Sequence, residues 1–437
     1  MTAAMAMDLP PDILREILKN FSTQHVVVHN PTSFPWFLGH ICAGWRQLFL
    51  SMAMEFWGNL VIDLPAVKKK CPHSVAHFER TGEILDFCLT CNEGYPLSFS
   101  FGMRKSHYSE EYSHVTDMLD ALIKQSMRWL KVEFHLQDAE LQRLHHVKGH
   151  TLLLQSLQLR RFGDDVWFDT PVKPVAERFA GTFSNSPCLV QLRLSSLSTW
   201  KFDWSTILVL DLRSLLQTDV VNMLTTILPQ ATRLEELQIG QGDTFIRGPI
   251  NIDDAQSIVT LPSLKKLAID GHNILGALTA PGLEHLTFQR GGERIMTIPS
   301  FVHRSSCPLK HLSLWYSKPA TAVEVLSHIP GLASLRLHDE RDGIREFIKL
   351  FDRDDTPEGA SLVAPRLKSL KMDIRAELNT SLLVELSAMI ASRAQNPGVD
   401  GLRKLSLRTN STKPGGDLTI LKEQCKRHDV KLTVGRF

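Results

Sequence analysis

A chain of 437 residues with 43% apolar content can bury a large core, yet it is too long for one compact domain unless it grows as a repeat array. Its 49 basic and 47 acidic residues nearly cancel, so no bulk field calls for nucleic acid or a membrane as partner. Residues 1–10 lack the layout of a secretion signal, no apolar run approaches the ~20 residues of a membrane span, and seven cysteines are scattered as in reduced thiols, so the expected compartment is cytoplasm or nucleus.

The first predicted element is a helix opened by Leu9-Pro10-Pro11-Asp12-Ile13-Leu14-Arg15-Glu16-Ile17-Leu18. Proline is tolerated in a first turn, where its missing N–H would be unpaired anyway, and Asp12 sits near the positive helix end. Ile13, Leu14, Ile17 and Leu18 form an apolar stripe at helical spacing. A second helix is predicted over residues 36–50, with Ile41, Trp45 and Leu48 on one face, and a third short stretch ends at Phe56-Trp57. Three short helices make a small core, so such a unit leans on a partner or on a neighbouring domain.

Strands are predicted at residues 60–64, 97–101 and 129–134. Lys68-Lys69-Lys70 reads as a solvated loop, with a nuclear address as the alternative. Cys71, His73, His77, Cys88 and Cys91 are potential metal ligands, but only one Cys-x-x-Cys is present. Phe87, Cys88 and Leu89 continue an apolar helix face, so the group reads as small buried residues, and no metal or cofactor is expected.

From Leu154 onward the chain writes one phrase ten times: a large apolar residue, two variable residues, Leu, a variable residue and an apolar residue. The copies start at Leu154, Leu189, Ile207, Leu234, Leu264, Leu283, Leu309, Leu332, Leu367 and Leu402, and eight have a proline shortly before them. The two-residue period makes each phrase a short strand with its apolar pair on one face and its variable residues on the other. Helices are predicted between them at residues 220–228, 320–328, 344–351 and 382–394, and a helix at 418–426 with a strand at 430–434 closes the chain. Strand then helix, repeated, predicts an α/β fold: an irregular solenoid whose curved parallel sheet lines the concave side, with helices outside.

The variable positions should line that concave face. His311, Arg336, Lys371 and Lys404 are among them, and Trp315 and Arg408 share their parity just past a phrase. Trp315 reads either as an interface anchor or as a residue folded under residues 316–319. Arg336, Lys371, Lys404 and Arg408 against Asp373 alone favour an acidic or phosphorylated segment. Enzyme signatures are missing: there is no Gly-x-Ser-x-Gly, no phosphate-binding glycine loop and no His-Glu-x-x-His, while His145, His146 and His150 cluster on a predicted helix end.

The array resembles leucine-rich repeat proteins. It departs from them in its uneven spacing and in the Asn or Cys expected after each phrase, present only as Asn410. Residues 9–18 resemble the opening of an F-box, Ile41-Cys42-Ala43-Gly44-Trp45-Arg46-Gln47-Leu48 its second half and Trp57 its closing tryptophan. The segment 20–35, carrying Val26-Val27-Val28, is longer than in a compact F-box. The arrangement is similar to the F-box-like proteins common in fungi, with an F-box-like domain at 1–60 and repeats over 61–437. That resemblance implies a substrate-recognition adaptor: the F-box docks on a Skp-family protein, and through it a cullin-based ubiquitin ligase, while the repeats capture a protein substrate. Leu9, Pro10, Ile13, Leu14, Ile17, Ile41, Cys42, Trp45 and Leu48 would then form or support the docking surface. The alternatives are that these residues only pack the first helices against the repeats, and that the array is a binding scaffold without a ubiquitin role.

Overall fold

Each of the ten phrases becomes a strand, and the described strand pairings within each compact unit are parallel. The computed structural model describes residues 9–20, 25–30, 36–52, 56–64, 72–103, 109–161, 177–195, 197, 200–212, 217–240, 258–270, 274–289, 292–315, 318–339, 343–351, 363–374, 380–396, 398–409 and 418–436. Two compact units divide it, residues 1–207 and 208–437. In the first, β1 (Val26–Val27), β2 (Asn59–Leu64), β3 (Leu97–Met103), β4 (Trp129–Leu136), β5 (Ser156–Arg161) and β6 (Gln191–Leu194) pair in chain order. The second carries β7 (Val209–Leu212), β8 (Glu236–Ile239), β9 (Val259–Thr260), β10 (Lys266–Asp270), β11 (Leu278–Thr279), β12 (His285–Gln289), β13 (His311–Trp315), β14 (Ser334–Asp339), β15 (Ser369–Ile374), β16 (Lys404–Thr409) and β17 (Lys431–Arg436). Here β9 and β11 form a small sheet of their own, and the others pair in chain order.

The prolines explain how several of the phrases start. In Leu261-Pro262-Ser263-Leu264 the Leu264 N–H donates to the Leu261 carbonyl at 3.3 Å, and the same turn recurs at Ala280–Leu283, Ile329–Leu332, Ala364–Leu367 and Ser186–Leu189. Proline at the second position presets the turn, which delivers the phrase's first leucine into the core. These turns stack closely: a Cβ on Gly282 would meet the Pro262 carbonyl oxygen at 3.0 Å. Beside them runs a backbone ladder. The carbonyls of Leu208, Glu235, Lys265, Glu284, Lys310, Ala333 and Lys368 each accept two successive amides of the next repeat, at 2.8–3.0 Å. This ladder joins turn to turn; Asn410 lies outside the described residues.

The central leucines stand in register as a spine, Leu237, Leu267, Leu286, Leu312, Leu335, Leu370 and Leu405, all buried. Each contributes roughly 1.5–3 kcal/mol by burial. The helices Pro319–Ser327, Gly343–Phe351, Thr380–Gln395 and Thr419–Arg427 lie where the periodicity predicts them. The one predicted at 220–228 begins as an α-helix at Gln217–Asn222 and continues as a π-turn at Met223–Ile227. Buried Arg393 fastens the helix Thr380–Gln395: it donates to the Ala364 carbonyl at 2.8 Å and lies over the Phe351 ring at 4.8 Å.

Near the N-terminus, Pro11–Lys19 is helical as the stripe predicts. The single helix expected at 36–50 is instead broken into a 3-10 turn, Trp36–His40, and a helix, Ala43–Ser51, with Cys42 extended at φ −160° and ψ 172°. Gly39 and Gly44 weaken helix formation on both sides of the break, and Arg46 Nε bridges it to the Gly39 carbonyl at 2.8 Å. Trp57 is fully buried against Phe49, Trp36 and Phe87, at ring separations of 4.8, 5.1 and 5.5 Å. Phe87 belongs to the helix Pro72–Cys91, whose Cys88 and Leu89 face inward. Within the segment 20–35, Val26 and Val27 form β1 and pair with Leu60 and Val61. Lys68-Lys69-Lys70, Cys71, the side chain of His73, Tyr316 and Ser317 lie outside the described residues.

Candidate functional site

Two surfaces emerge from these elements, one in each unit. On the first helix the apolar stripe splits into two faces. Leu14 and Leu18 turn inward, while Ile13 and Ile17 are 49% and 37% exposed. Ile41, in the break before the helix Ala43–Ser51, is 42% exposed, and Pro10 is exposed too. The helices Pro11–Lys19 and Ala43–Ser51 pack on each other. Leu9, Cys42, Trp45 and Leu48 are half-buried. Of the nine residues assigned to docking, Leu14 can act only as support, because its side chain is spent inside the chain. Phe37 and Leu50 were not among the nine and are exposed too; they escape a helical reading because the break at Cys42 rotates one segment against the other.

The second surface is the variable face of β13 to β16, where the structure brings all six substrate candidates together. Register places His311, Ser334, Ser369 and Lys404 in one row. Ser313, Arg336, Lys371 and Ser406 form the next, and Trp315, His338, Asp373 and Arg408 the third. His311 stacks on His285 with rings 4.1 Å apart and 2° from parallel. Trp315 is half-buried and stacks on His338 at 3.6 Å, so the indole lies along the sheet face rather than clear of it.

His338 and Asp373 are the residues that sequence reasoning missed as organisers. Asp373 is only 1% exposed, and its Oδ2 accepts from Arg336 Nε at 2.9 Å, Arg336 Nη2 at 2.6 Å and His338 Nδ1 at 2.8 Å. The outward parity of Asp373 suggested a surface counter-ion. Its position at the strand end, covered by two large neighbours, makes it a buried hub. Burial pushes the His338 ring down to about 4, with Arg336, Lys371 and Arg408 pushing the same way and Asp373 opposing. The ring is therefore neutral at pH 7, donates Nδ1–H to Asp373, and keeps Nε2 as an acceptor. Lys371 is likewise pushed down, first by burial and then by Arg336, Arg408 and Lys404, against Asp373.

A pH dependence follows. The unfolded ring titrates at the ordinary value of 6.5 and the folded ring only near 4. Between these values the unfolded chain binds more protons, so stability is full above the upper value and is lost as pH falls through the window. Melts of the wild type should lose on the order of 2 kcal/mol between pH 6.5 and 4 that the His338→Gln variant does not lose. Parallel losses in both proteins would exclude His338 as the source.

Among the described residues no three His, Cys, Asp or Glu side chains are placed to hold a metal ion, and burial pushes the Cys88 and Cys91 thiols up. No described helix is long and apolar enough to cross a membrane. No family model matches the chain, and no curated protein matches it.

Proposed function

We propose that the protein is a substrate-recognition adaptor of the Skp–cullin–F-box type, docking through its first helices on a Skp-family protein and capturing a protein substrate on its repeat strands. The observation that carries the docking half is the splitting of the first helix. Leu14 and Leu18 satisfy the chain's own core, while Ile13 and Ile17 remain exposed, as does Ile41. Isoleucines on a short helix are costly to leave in water, and they fit the position of a docking face in the motif that residues 9–18 resemble. Parallel strands with a polar variable face suit capture of an extended protein segment, as in other repeat arrays.

Exposed positions also give a clean test. Ile13→Asp combined with Ile17→Asp should leave the fold intact and abolish co-purification with a Skp-family protein. Each buried isoleucine side chain contributes roughly 1.5–3 kcal/mol, so the pair is expected to weaken binding at least a hundredfold. Leu14→Asp is no test of docking, because it places a charge in the chain's own core. Unchanged co-purification by the double variant would leave the other reading, a repeat scaffold without ubiquitin chemistry. The pairing of β1 with β2 and the packing of Trp57 on Phe87 favour that reading so far as they tie the first helices to the first unit.

A further inference from the structure

Among the described residues β17 pairs on one side only, with β16. Lys431 donates its N–H to the Arg403 carbonyl at 2.8 Å. Alternate residues of a parallel ladder turn to opposite neighbours, so Leu432 and Val434 turn their N–H and C=O groups to the open side. Their side chains are uncovered as well. In β8, β10 and β12 to β16 both inward residues are buried, ending with Leu405 and Leu407. Leu432 and Val434, in register with those two, are half-buried and 37% exposed. The described repeat is therefore open in backbone and in core at once.

Charge says what fits there. Earlier in this unit lysines meet glutamates of the preceding repeat: Lys265 with Glu235 at 2.9 Å, Lys266 with Glu236, and Lys310 with Glu284 at 2.7 Å. Lys431 breaks that alternation. It stands in register with Lys404, and among the described residues neither has a carboxylate partner. Residues 401–437 hold nine Lys or Arg against three Asp or Glu, in a chain whose net charge is +2. Lys422, Lys426 and Arg427 of the helix Thr419–Arg427 are exposed in the same repeat. A second copy meeting this one edge to edge would set these cations against themselves, which is how edge strands resist self-pairing.

We propose that β17 takes up an extended acidic segment of another protein as a further parallel strand, with apolar residues beside Leu432 and Val434 and carboxylates beside Lys431. In such strand addition main-chain hydrogen bonds supply affinity and alternate side chains supply specificity. Parallel direction continues the described pairings from β12 to β17. A carboxylate in register with Lys431 restores the alternation that Glu236 and Lys266 begin. This edge is separate from the variable face of β13 to β16, and it does not depend on whether the first helices dock on a Skp-family protein.

The test titrates the full chain, at physiological salt, into a capped fluorescent peptide of alternating valine and glutamate. That peptide should bind at least tenfold tighter than a valine–lysine twin. Lys431→Glu should weaken it about tenfold and strengthen the twin, while Lys19→Gln on the first helix should change nothing. Two further peptides carry backbone N-methyl groups on every glutamate or on every valine, each blocking one edge of the strand. In a parallel ladder the residues in register with Lys431 bond back to β17, so the glutamate-methylated form should lose at least tenfold and the valine-methylated form should bind as the parent does. Equal affinity of all three would overturn strand addition, and the reverse pattern would overturn the parallel direction. A single-stranded oligonucleotide of equal charge that binds as tightly would overturn the assignment to a protein segment. Sedimentation should find the chain alone monomeric; a dimer broken by Val434→Asp would make a second copy the occupant and overturn the proposal.

Discussion

Replacing Asp373 with alanine should destabilise the second unit by about 3–5 kcal/mol, because it leaves a guanidinium partly buried with its partner removed. The carboxylate fixes three donor contacts from the neighbouring strand β14, so its loss also frees His338, on which Trp315 stacks. Asp373→Asn should recover little. The amide keeps the shape but loses the charge, and its NH2 end repels Arg336. A paired change, Arg336→Met with Asp373→Leu, should restore most of the stability by substituting packed apolar groups for the ion pair. Urea denaturation of the four proteins checks this, and equal midpoints for wild type and Asp373→Ala would show that the hub carries no stability.

The second large effect is local in space rather than in charge. Leu286 sits in the middle of the leucine spine, in register with Leu267 on one side and Leu312 on the other, and is buried. Leu286→Asp should cost about 4 kcal/mol or more, since it trades packing for an unpaired charge. In a repeat array that cost is felt first by the neighbouring turns. Amide exchange should therefore accelerate over residues 264–314 well before it does at β16 and β17. A single cooperative loss of protection across the second unit would contradict a nearest-neighbour array.

Much of this architecture is readable in advance because the phrase repeats its two-residue period at every copy and a proline shortly precedes eight of the ten. The same parity rule found the faces of Arg336, Lys371 and Lys404 correctly. It could not judge depth. Asp373 and Lys371 lie two residues apart on one face, yet one is nearly inaccessible and the other half open, and that difference comes from neighbouring strands. The first helix shows the same limit. Four adjacent apolar positions make one stripe in sequence, and only the packed structure shows that its edge of leucines faces inward and its edge of isoleucines outward. Strands as short as β1, β9 and β11 have too few residues for any period and stay invisible. The break at Cys42 hides for a related reason, since two glycines lower helix propensity without saying where the chain will bend.

The ladder of doubly accepting carbonyls has a further consequence. Each repeat of the second unit is indexed to its predecessor at one fixed backbone atom, while the chain between successive phrases there runs from 19 to 35 residues from start to start. Lateral alignment and crossover length are thereby uncoupled. An insertion between β14 and β15 would enlarge the outside of the unit yet leave Arg336 opposite Lys371, because neither residue's address depends on how far the chain has travelled. Such a fold can lengthen its crossovers through evolution while the binding face keeps its coordinates.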